Sequence, residues 1–161
     1  KASLRYAFER LADELDRLYV DVVKPFVADP WELRNQYIHV ILGEMSIYQL
    51  LGELSSKTLT SDQIRRIHLM LEAQRERQRM FTSCGWFFED FDRIEPKNNV
   101  AYAAQAVYLA RQATGVDLSE PVAEDLQRVS SQRSRLRADR VFYRHLHRAA
   151  ELTASPGARL G

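Results

Sequence analysis

The chain has 161 residues, 45% of them hydrophobic and 28% charged. This length fits one domain with a sizeable core and is short for two independently stable domains. Its 23 lysines and arginines nearly balance 22 aspartates and glutamates, which excludes a protein-wide field that would attract nucleic acid or an acidic membrane. No run approaches the roughly 18 apolar residues of a membrane span, and the first residues lack a signal-peptide pattern. With Cys84 as the single cysteine, we expect a soluble, cytoplasmic protein without an internal disulfide.

Apolar residues recur every three or four positions, a spacing typical of helices rather than strands. The apolar stripe over residues 4–22 predicts a first long helix that stops near Pro25. The sequence at residues 29–32, Asp-Pro-Trp-Glu, is a strong helix start and predicts a second helix that runs to about Gly43. A short third helix is expected over residues 46–54.

Start and stop signals also divide the second half of the chain. Thr60 and Gln63 offer a capping box for a long fourth helix, which we expect to end at Gly85. Pro96 should open a fifth helix whose small residues allow close packing, and Gly115 should close it. The last two helices are expected over residues 119–131 and 139–152.

The predicted fold is therefore all-α, a multi-helix bundle of about six or seven helices formed by residues 1–153. Residues 154–161 have the small, flexible composition of a tail or linker. Because the chain starts with Lys1 rather than Met and ends in this composition, we expect it to be a piece of a longer protein.

One segment differs from the rest in composition. Residues 80–91 concentrate aromatic side chains, a glycine and two adjacent carboxylates at the expected end of the fourth helix. Helix ends are places where sites are easily built. The plainer interpretation is that the bulky rings close the core of the bundle. These rings are Trp86, Phe87, Phe88 and Phe91.

The same segment carries a resemblance to a known family. The stretch over residues 74–90, followed by Ile94-Glu95 and by residues 102–106, resembles the signature of the uncharacterised helical domain that follows the barrel in family 57 glycoside-hydrolase-type bacterial proteins. These proteins are α-amylase- or α-mannosidase-like. Weaker similarity extends to residues 29–31 and 37–42. The most specific part of the match reads Thr82-Ser83-Cys84-Gly85-Trp86-Phe87-Phe88-Glu89-Asp90.

The chain also departs from that family pattern. Glu89-Asp90, Asp92 and Arg93 stand where the family usually shows an Asp-Asp pair, a serine and a glycine. In related glucan-branching enzymes, the helical bundle carries a tryptophan motif that borders the substrate cleft, and Trp86 is similar to it. Gly85 occupies the place of a carboxylate in that motif, which argues against a catalytic role here.

The resemblance implies a helical accessory domain that lines or covers an α-glucan-type saccharide cleft. In this family the barrel of the same parent protein supplies both catalytic carboxylates, so we expect no catalytic residue, cofactor or metal in this chain. The parent would be a glycoside hydrolase or a glucan transferase. Trp86 would be the plate for a sugar ring, with Arg79, Glu89 and Asp90 as its polar, substrate-binding neighbours.

Two alternatives stay open. The first is a structural or protein-interaction bundle without a carbohydrate role, which full enclosure of Trp86 and Phe87 would favour. The second is anion or nucleic-acid binding by an arginine stripe on the last helix. We prefer a stripe that faces solvent or pairs with the acidic face of the first helix. The stripe consists of Arg133, Arg137, Arg140, Arg144 and Arg148.

The remaining reactive residue types lack the partners that chemistry requires. Cys84 has no neighbouring base in the sequence, and we expect a buried structural thiol. The histidines show no metal-ligand spacing, and the acidic residues after Phe88 lack the spacing of a calcium loop. The histidines are His39, His68, His145 and His147.

Overall fold

The structure is a computed structural model that describes residues 1–154. This part of the chain contains seven α-helices of seven residues or more and one single-turn helix, without a β-sheet. The predicted all-α bundle is confirmed. The helices are α1 (Ala2–Val23), α2 (Pro30–Gln36), α3 (Ile38–Ile41), α4 (Ile47–Leu54), α5 (Ser61–Arg79), α6 (Ile94–Thr114), α7 (Ser119–Leu126) and α8 (Ala138–Ala154). Of the predicted tail, Ala154 belongs to α8, and residues 155–161 lie outside the described residues.

The helix starts follow the capping chemistry that the sequence predicts. Asp29 accepts hydrogen bonds from two backbone N–H groups in the first turn of α2. Thr60 and Gln63 form a complete capping box at α5, in which each side chain bonds the backbone of the other residue. Ser46 and Gln49 do the same at α4. These bonds satisfy N–H groups that a helix leaves free at its start.

The helix ends agree less well with prediction. Gly115 adopts a left-handed φ of +77° and closes α6, as expected. The prediction that α5 ends at Gly85 was wrong, because this helix already ends at Arg79. The seventh helix is also shorter than predicted and ends at Leu126. Residues 129–138 instead form a loop with antiparallel pairing between its two sides, which leaves no room for a longer helix.

Helices α1, α5 and α6 form the centre of the bundle. Helix α5 packs along α6, whose other side carries α8, while α7 lies between α1 and α8. Small residues of α6, including Ala103 and Ala104, are completely buried and let the neighbouring helices approach closely. The central residues of α1 and α5 are Leu4, Phe8, Leu15, Ile67, Met70 and Leu71.

A polar network crosses this apolar centre and ties α1, α2 and α5 together. Gln74, which is 0% exposed, donates to Asp16 Oδ1 at 2.9 Å and accepts from Arg34 Nη1 at 3.1 Å. Arg77 binds both oxygens of the same aspartate at 3.1 and 3.0 Å. A buried amide is stable only when its hydrogen bonds are made, and Gln74 makes one through its nitrogen and one through its oxygen.

Replacing Gln74 by alanine should therefore destabilise the bundle. The substitution opens a small cavity and leaves Asp16 and Arg34 each without one hydrogen bond, so we expect a loss of about 1–3 kcal/mol in the free energy of unfolding. Urea denaturation measures it. Gln78→Ala, at an exposed position of the same helix, is the matched control and should change stability by less than about 0.5 kcal/mol. Equal losses in the two variants would contradict a stabilising role for the buried amide.

Candidate functional site

The aromatic segment, residues 80–91, connects α5 to α6 and is fixed to the core by three side chains. Met80 is 0% exposed, Phe91 is 2% exposed and Phe88 is 7% exposed. For Phe88 and Phe91, the interpretation as core anchors is confirmed. Because these anchors lie at both ends of the segment, the residues between them are held close to the bundle.

Trp86 is neither enclosed nor free. Its ring stacks on Phe81 with ring centroids 6.3 Å apart and an interplanar angle of 15°. Phe8, a fully buried residue of α1, meets Trp86 in a T-shaped contact at 6.0 Å. Phe81 makes a similar contact with Phe8 at 6.3 Å. Trp86 therefore packs on the core through two aromatic contacts, and part of its surface is accessible to solvent.

Phe87 faces solvent, with 86% of its surface exposed. The preceding residues form a tight 3₁₀ turn, Ser83–Gly85, whose last bond runs from the N–H of Trp86 to the carbonyl of Ser83. After such a turn, successive side chains point in different directions, so three consecutive aromatic residues cannot all enter the core. The sequence interpretation grouped Phe87 with the core anchors, and for this residue it was wrong.

Gly85 is required by the close approach of α6. A Cβ atom at this position would lie 1.8 Å from Nδ2 and 2.4 Å from Cγ of Asn99. The Asn99 side chain is 1% exposed, and its Oδ1 accepts a hydrogen bond of 3.1 Å from the Thr82 hydroxyl. Among residues 1–154, Asn99 Nδ2 has no hydrogen-bond partner. Position 85 therefore requires glycine because the Asn99 side chain of the next helix packs against it, and not because α5 ends there.

Arg79 lies at the end of α5, beside the start of the aromatic segment. Its guanidinium pairs with Glu76 at 3.1 Å and lies 5.1 Å from the ring centroid of Tyr102 on α6. Burial raises the pKa of the Glu76 carboxyl above its usual range, and the charge of Arg79 opposes that rise. Arg79 is thereby engaged in holding α5 against α6, although its side chain stays partly exposed.

Glu89 and Asp90 line a cleft of about 380 Å³ between the aromatic segment and the 129–138 loop. Asp90 accepts hydrogen bonds from the Ser131 hydroxyl at 3.0 Å and from the Arg133 N–H at 3.3 Å. Burial raises the pKa of Asp90, but these hydrogen bonds outweigh it and hold the pKa below its usual range. Asp90 therefore links the 129–138 loop to the aromatic segment through hydrogen bonds, whereas Glu89 is exposed at the rim of the cleft.

The four residues predicted to bind substrate thus lie in three different surroundings. Trp86 rests on aromatic rings of α1 and the segment itself, and Arg79 rests on α6. Glu89 and Asp90 share the cleft beside the 129–138 loop. Their predicted contact with a saccharide stays a prediction.

Residues 1–156 match the sequence profile of a family described as a domain of unknown function, DUF3536. The chain belongs to the DUF3536 family. The match includes every described residue, so the helical bundle is the fold of this DUF3536 domain. The predicted relation to a helical domain of unknown function is confirmed. Neither a curated protein nor a solved structure matches the chain.

Other reactive side chains of the DUF3536 domain have ordinary surroundings. Cys84 is exposed, so the expectation of a buried thiol was wrong; the 3₁₀ turn buries its neighbour Gly85 instead. His39 bonds the Glu44 carboxylate at 2.6 Å, and His68 lies 3.1 Å from a tyrosine hydroxyl. Within residues 1–154, no three His, Cys, Asp or Glu side chains are grouped as a metal site would need, and no helix is long and apolar enough to cross a membrane.

The arginine stripe of the DUF3536 domain is shorter than the sequence spacing indicates. Helix α8 begins at Ala138, so Arg133 and Arg137 precede it. Arg137 forms a two-point ion pair with Asp139 at 3.0 and 2.7 Å. The three arginines on α8 itself are exposed, which agrees with the preferred solvent-facing stripe. They are Arg140, Arg144 and Arg148.

Adding a methyl group at Gly85 should disturb the aromatic segment. Gly85→Ala forces Asn99 to move, and we expect a loss of about 1–3 kcal/mol in the free energy of unfolding. Gly52→Ala is the matched control, because no atom lies within 4 Å of its added Cβ. In helix α4 that change should be neutral or stabilising by up to about 1 kcal/mol.

A double-mutant cycle attributes the Gly85 effect to the contact itself. In a background carrying Asn99→Ala, the amide that collides with the new methyl group is gone, so Gly85→Ala should cost much less than in the wild type. An undiminished cost in that background would show that another neighbour, or the backbone of the turn, requires glycine.

The charge of Asp90 should stabilise the fold in a pH-dependent way. Because the folded pKa of Asp90 lies below the ordinary aspartate value of 3.8, the stabilisation is fully present above that value and is lost as the pH falls through the folded pKa. Asp90→Asn should therefore be less stable than the wild type at pH 7, with a difference that shrinks below about pH 3.8. Thermal unfolding across pH measures it. Glu89→Gln, at the exposed neighbouring position, is the control and should change stability at pH 7 by less than about 0.5 kcal/mol.

Proposed function

We propose that this DUF3536 domain is the helical neighbour of a family 57 glycoside-hydrolase-type barrel, and that its aromatic segment lines or covers an α-glucan-type cleft. The observation that supports it best is the exposure of Phe87, 86%, directly beside the partly exposed Trp86. Each of these accessible rings offers a surface on which the apolar C–H face of a sugar ring can stack. The bacterial origin and the role in carbohydrate metabolism that the resemblance implies belong to this proposal, as does the cytoplasmic location expected from the single cysteine.

The Trp86 ring is held in a fixed position, which favours binding. Trp86 is held by its contacts with Phe8 and Phe81, and the turn before it is held by the approach of Asn99 to Gly85. A ring that is already fixed loses little conformational freedom when a ligand stacks on it. In contrast, a flexible aromatic loop would have to be ordered at the moment of binding.

The domain would contribute to binding and leave the bond cleavage to the barrel. Glycoside hydrolysis needs two carboxyl groups, one of which acts as a proton donor with a raised pKa. Asp90 has the opposite environment, because hydrogen bonds hold its carboxylate ionised. We assign exposed Glu89 to contacts with sugar hydroxyls, and Asp90 and Arg79 to positioning the segment.

A protein-interaction bundle is the second candidate, and it rests on the same exposed ring. Phe87 could equally fill a pocket of a protein partner, since large apolar side chains in solvent often mark interaction sites. The two candidates differ in their ligands. If the domain binds a saccharide, the ligand should reduce the solvent exposure of both Trp86 and Phe87. If Phe87 instead binds a protein partner, the domain should have no affinity for saccharides.

In a protein in which this chain follows such a barrel, Trp86→Ala should impair saccharide turnover more than folding. Loss of one stacking platform should lower kcat/KM on an α-glucan by about tenfold. Phe88→Ala is the matched variant in the same segment: it empties a buried site and should cost about 3 kcal/mol in stability with a smaller effect on the folded enzyme. Parallel losses of stability and turnover in Trp86→Ala would support the core-anchor role.

The same experiment includes the chain without a barrel. We expect residues 1–161 alone to release no reducing sugar from α-glucans, because the catalytic carboxylates are assigned to the barrel. Robust turnover by this chain alone would overturn that assignment.

A further inference from the structure

A strip of polar and aromatic side chains runs along the seam between α1 and α5 and ends near Trp86. Gln74 and Arg77 lie three residues apart on α5, and Phe81 follows two residues beyond the end of this helix. Asp16 of α1 lies across the seam and joins the first two through hydrogen bonds. The five helical steps of α5 from Gln74 to Arg79 correspond to roughly 8 Å, so the strip is longer than a single ring contact.

Trp31 forms the far end of this strip. Its side chain is 37% exposed, and the guanidinium of Arg34 lies 4.6 Å from its ring centroid. The buried Tyr19 ring supports it at 5.3 Å, and the Tyr19 hydroxyl donates a hydrogen bond to the carbonyl of Pro30. Trp31 belongs to the Asp-Pro-Trp sequence that starts α2, so the helix cap also fixes its backbone. The ring is an exposed aromatic surface in a fixed position.

The polar groups between the two tryptophans form a connected row. Arg34 bonds Gln74, Gln74 bonds Asp16, and Asp16 bonds Arg77. The guanidinium of Arg77 then lies 5.6 Å from the ring centroid of Phe81, on which Trp86 stacks. The side chains of Asp16 and Arg77 are 26% and 24% exposed. Asp16 and Arg77 therefore present hydrogen-bond acceptors and donors at the surface, whereas Gln74, which links them to Arg34, is buried.

We propose that this α1–α5 strip binds a neutral oligosaccharide of the α-glucan type, with Trp31 and Trp86 as platforms for two different sugar rings. The inference rests on the proposed function and extends it to a chain of several sugars. Sugar hydroxyls both donate and accept hydrogen bonds, which suits the exposed oxygens of Asp16 and the N–H groups of Arg77.

The charges of the strip select a neutral ligand. The Asp16 carboxylate is paired with the Arg77 guanidinium, and the Gln74 amide links it to the guanidinium of Arg34. An anionic ligand on the same row would meet the Asp16 carboxylate and would have to compete with it for Arg77. Neutral hydroxyl groups can add to the existing bonds without breaking them.

The experiment is a calorimetric titration of the 161-residue chain with maltotriose and with maltoheptaose. A saccharide that occupies both platforms at once gains from the second contact, so the wild type should bind maltoheptaose more tightly than maltotriose. Trp31→Ala should remove this gain, a loss of about tenfold in affinity, and should leave maltotriose affinity unchanged. Tyr48→Ala, at a residue that is 68% exposed on α4, is the control and should change neither affinity.

Two further variants separate the possible failures. Trp31→Phe keeps a ring and should retain most of the gain, whereas a loss equal to that of Trp31→Ala would contradict a platform role. If Trp31→Ala binds both saccharides like the wild type while Trp86→Ala weakens both, the strip is overturned and the proposed function stands. If the wild-type chain binds neither saccharide, the strip is overturned, whereas the proposed function is decided by the effect of Trp86→Ala on turnover in the barrel-containing protein. Thermal unfolding of each variant establishes that the fold is intact.

Discussion

The contact between Gly85 and the Asn99 side chain determines how the aromatic segment lies on the bundle. Asn99 occupies the space that a Cβ atom at position 85 would need, and it also accepts a hydrogen bond from Thr82. The turn between α5 and α6 can therefore lie directly against α6. Trp86 follows this turn, so the position of its ring depends on the contact between a glycine and a buried amide.

A second constraint fixes the other side of the same surface. The buried Gln74 amide connects Asp16 with Arg34, and Arg77 completes the network at the seam between α1 and α5. Both constraints use polar side chains that hydrogen-bond one another in an otherwise apolar bundle, which gives single positions to the groups that carry them. A surface built in this way is suited to recognising a ligand by shape and by the direction of hydrogen bonds, and the proposed saccharide is a ligand of that kind.

The sequence predicts those features that depend on neighbouring residues. Asp29 and Thr60 bond N–H groups two or three positions away, so their caps are readable from the order of residues. Gly85 shows the limit of such predictions. Its sequence context is typical of a helix end, but glycine is required because the Asn99 side chain of the next helix occupies the space of a Cβ atom. The exposure of Phe87 and Cys84 likewise follows from the path of the turn, which is fixed by contacts distant in sequence. The pairing of Asp16 with Arg77 joins two helices and carries no local signal.

The most direct measurement of the central claim uses the two tryptophans of the chain, Trp31 and Trp86, which give two indole N–H resonances in an NMR spectrum. Each can be assigned by substituting the other. If the aromatic segment faces a saccharide, titration with maltoheptaose should shift the Trp86 indole resonance and the backbone resonance of Phe87 in a saturable manner. An unchanged Trp86 resonance at a saccharide concentration of about 10 mM, where even an affinity of about 1 mM saturates the site, would contradict the claim.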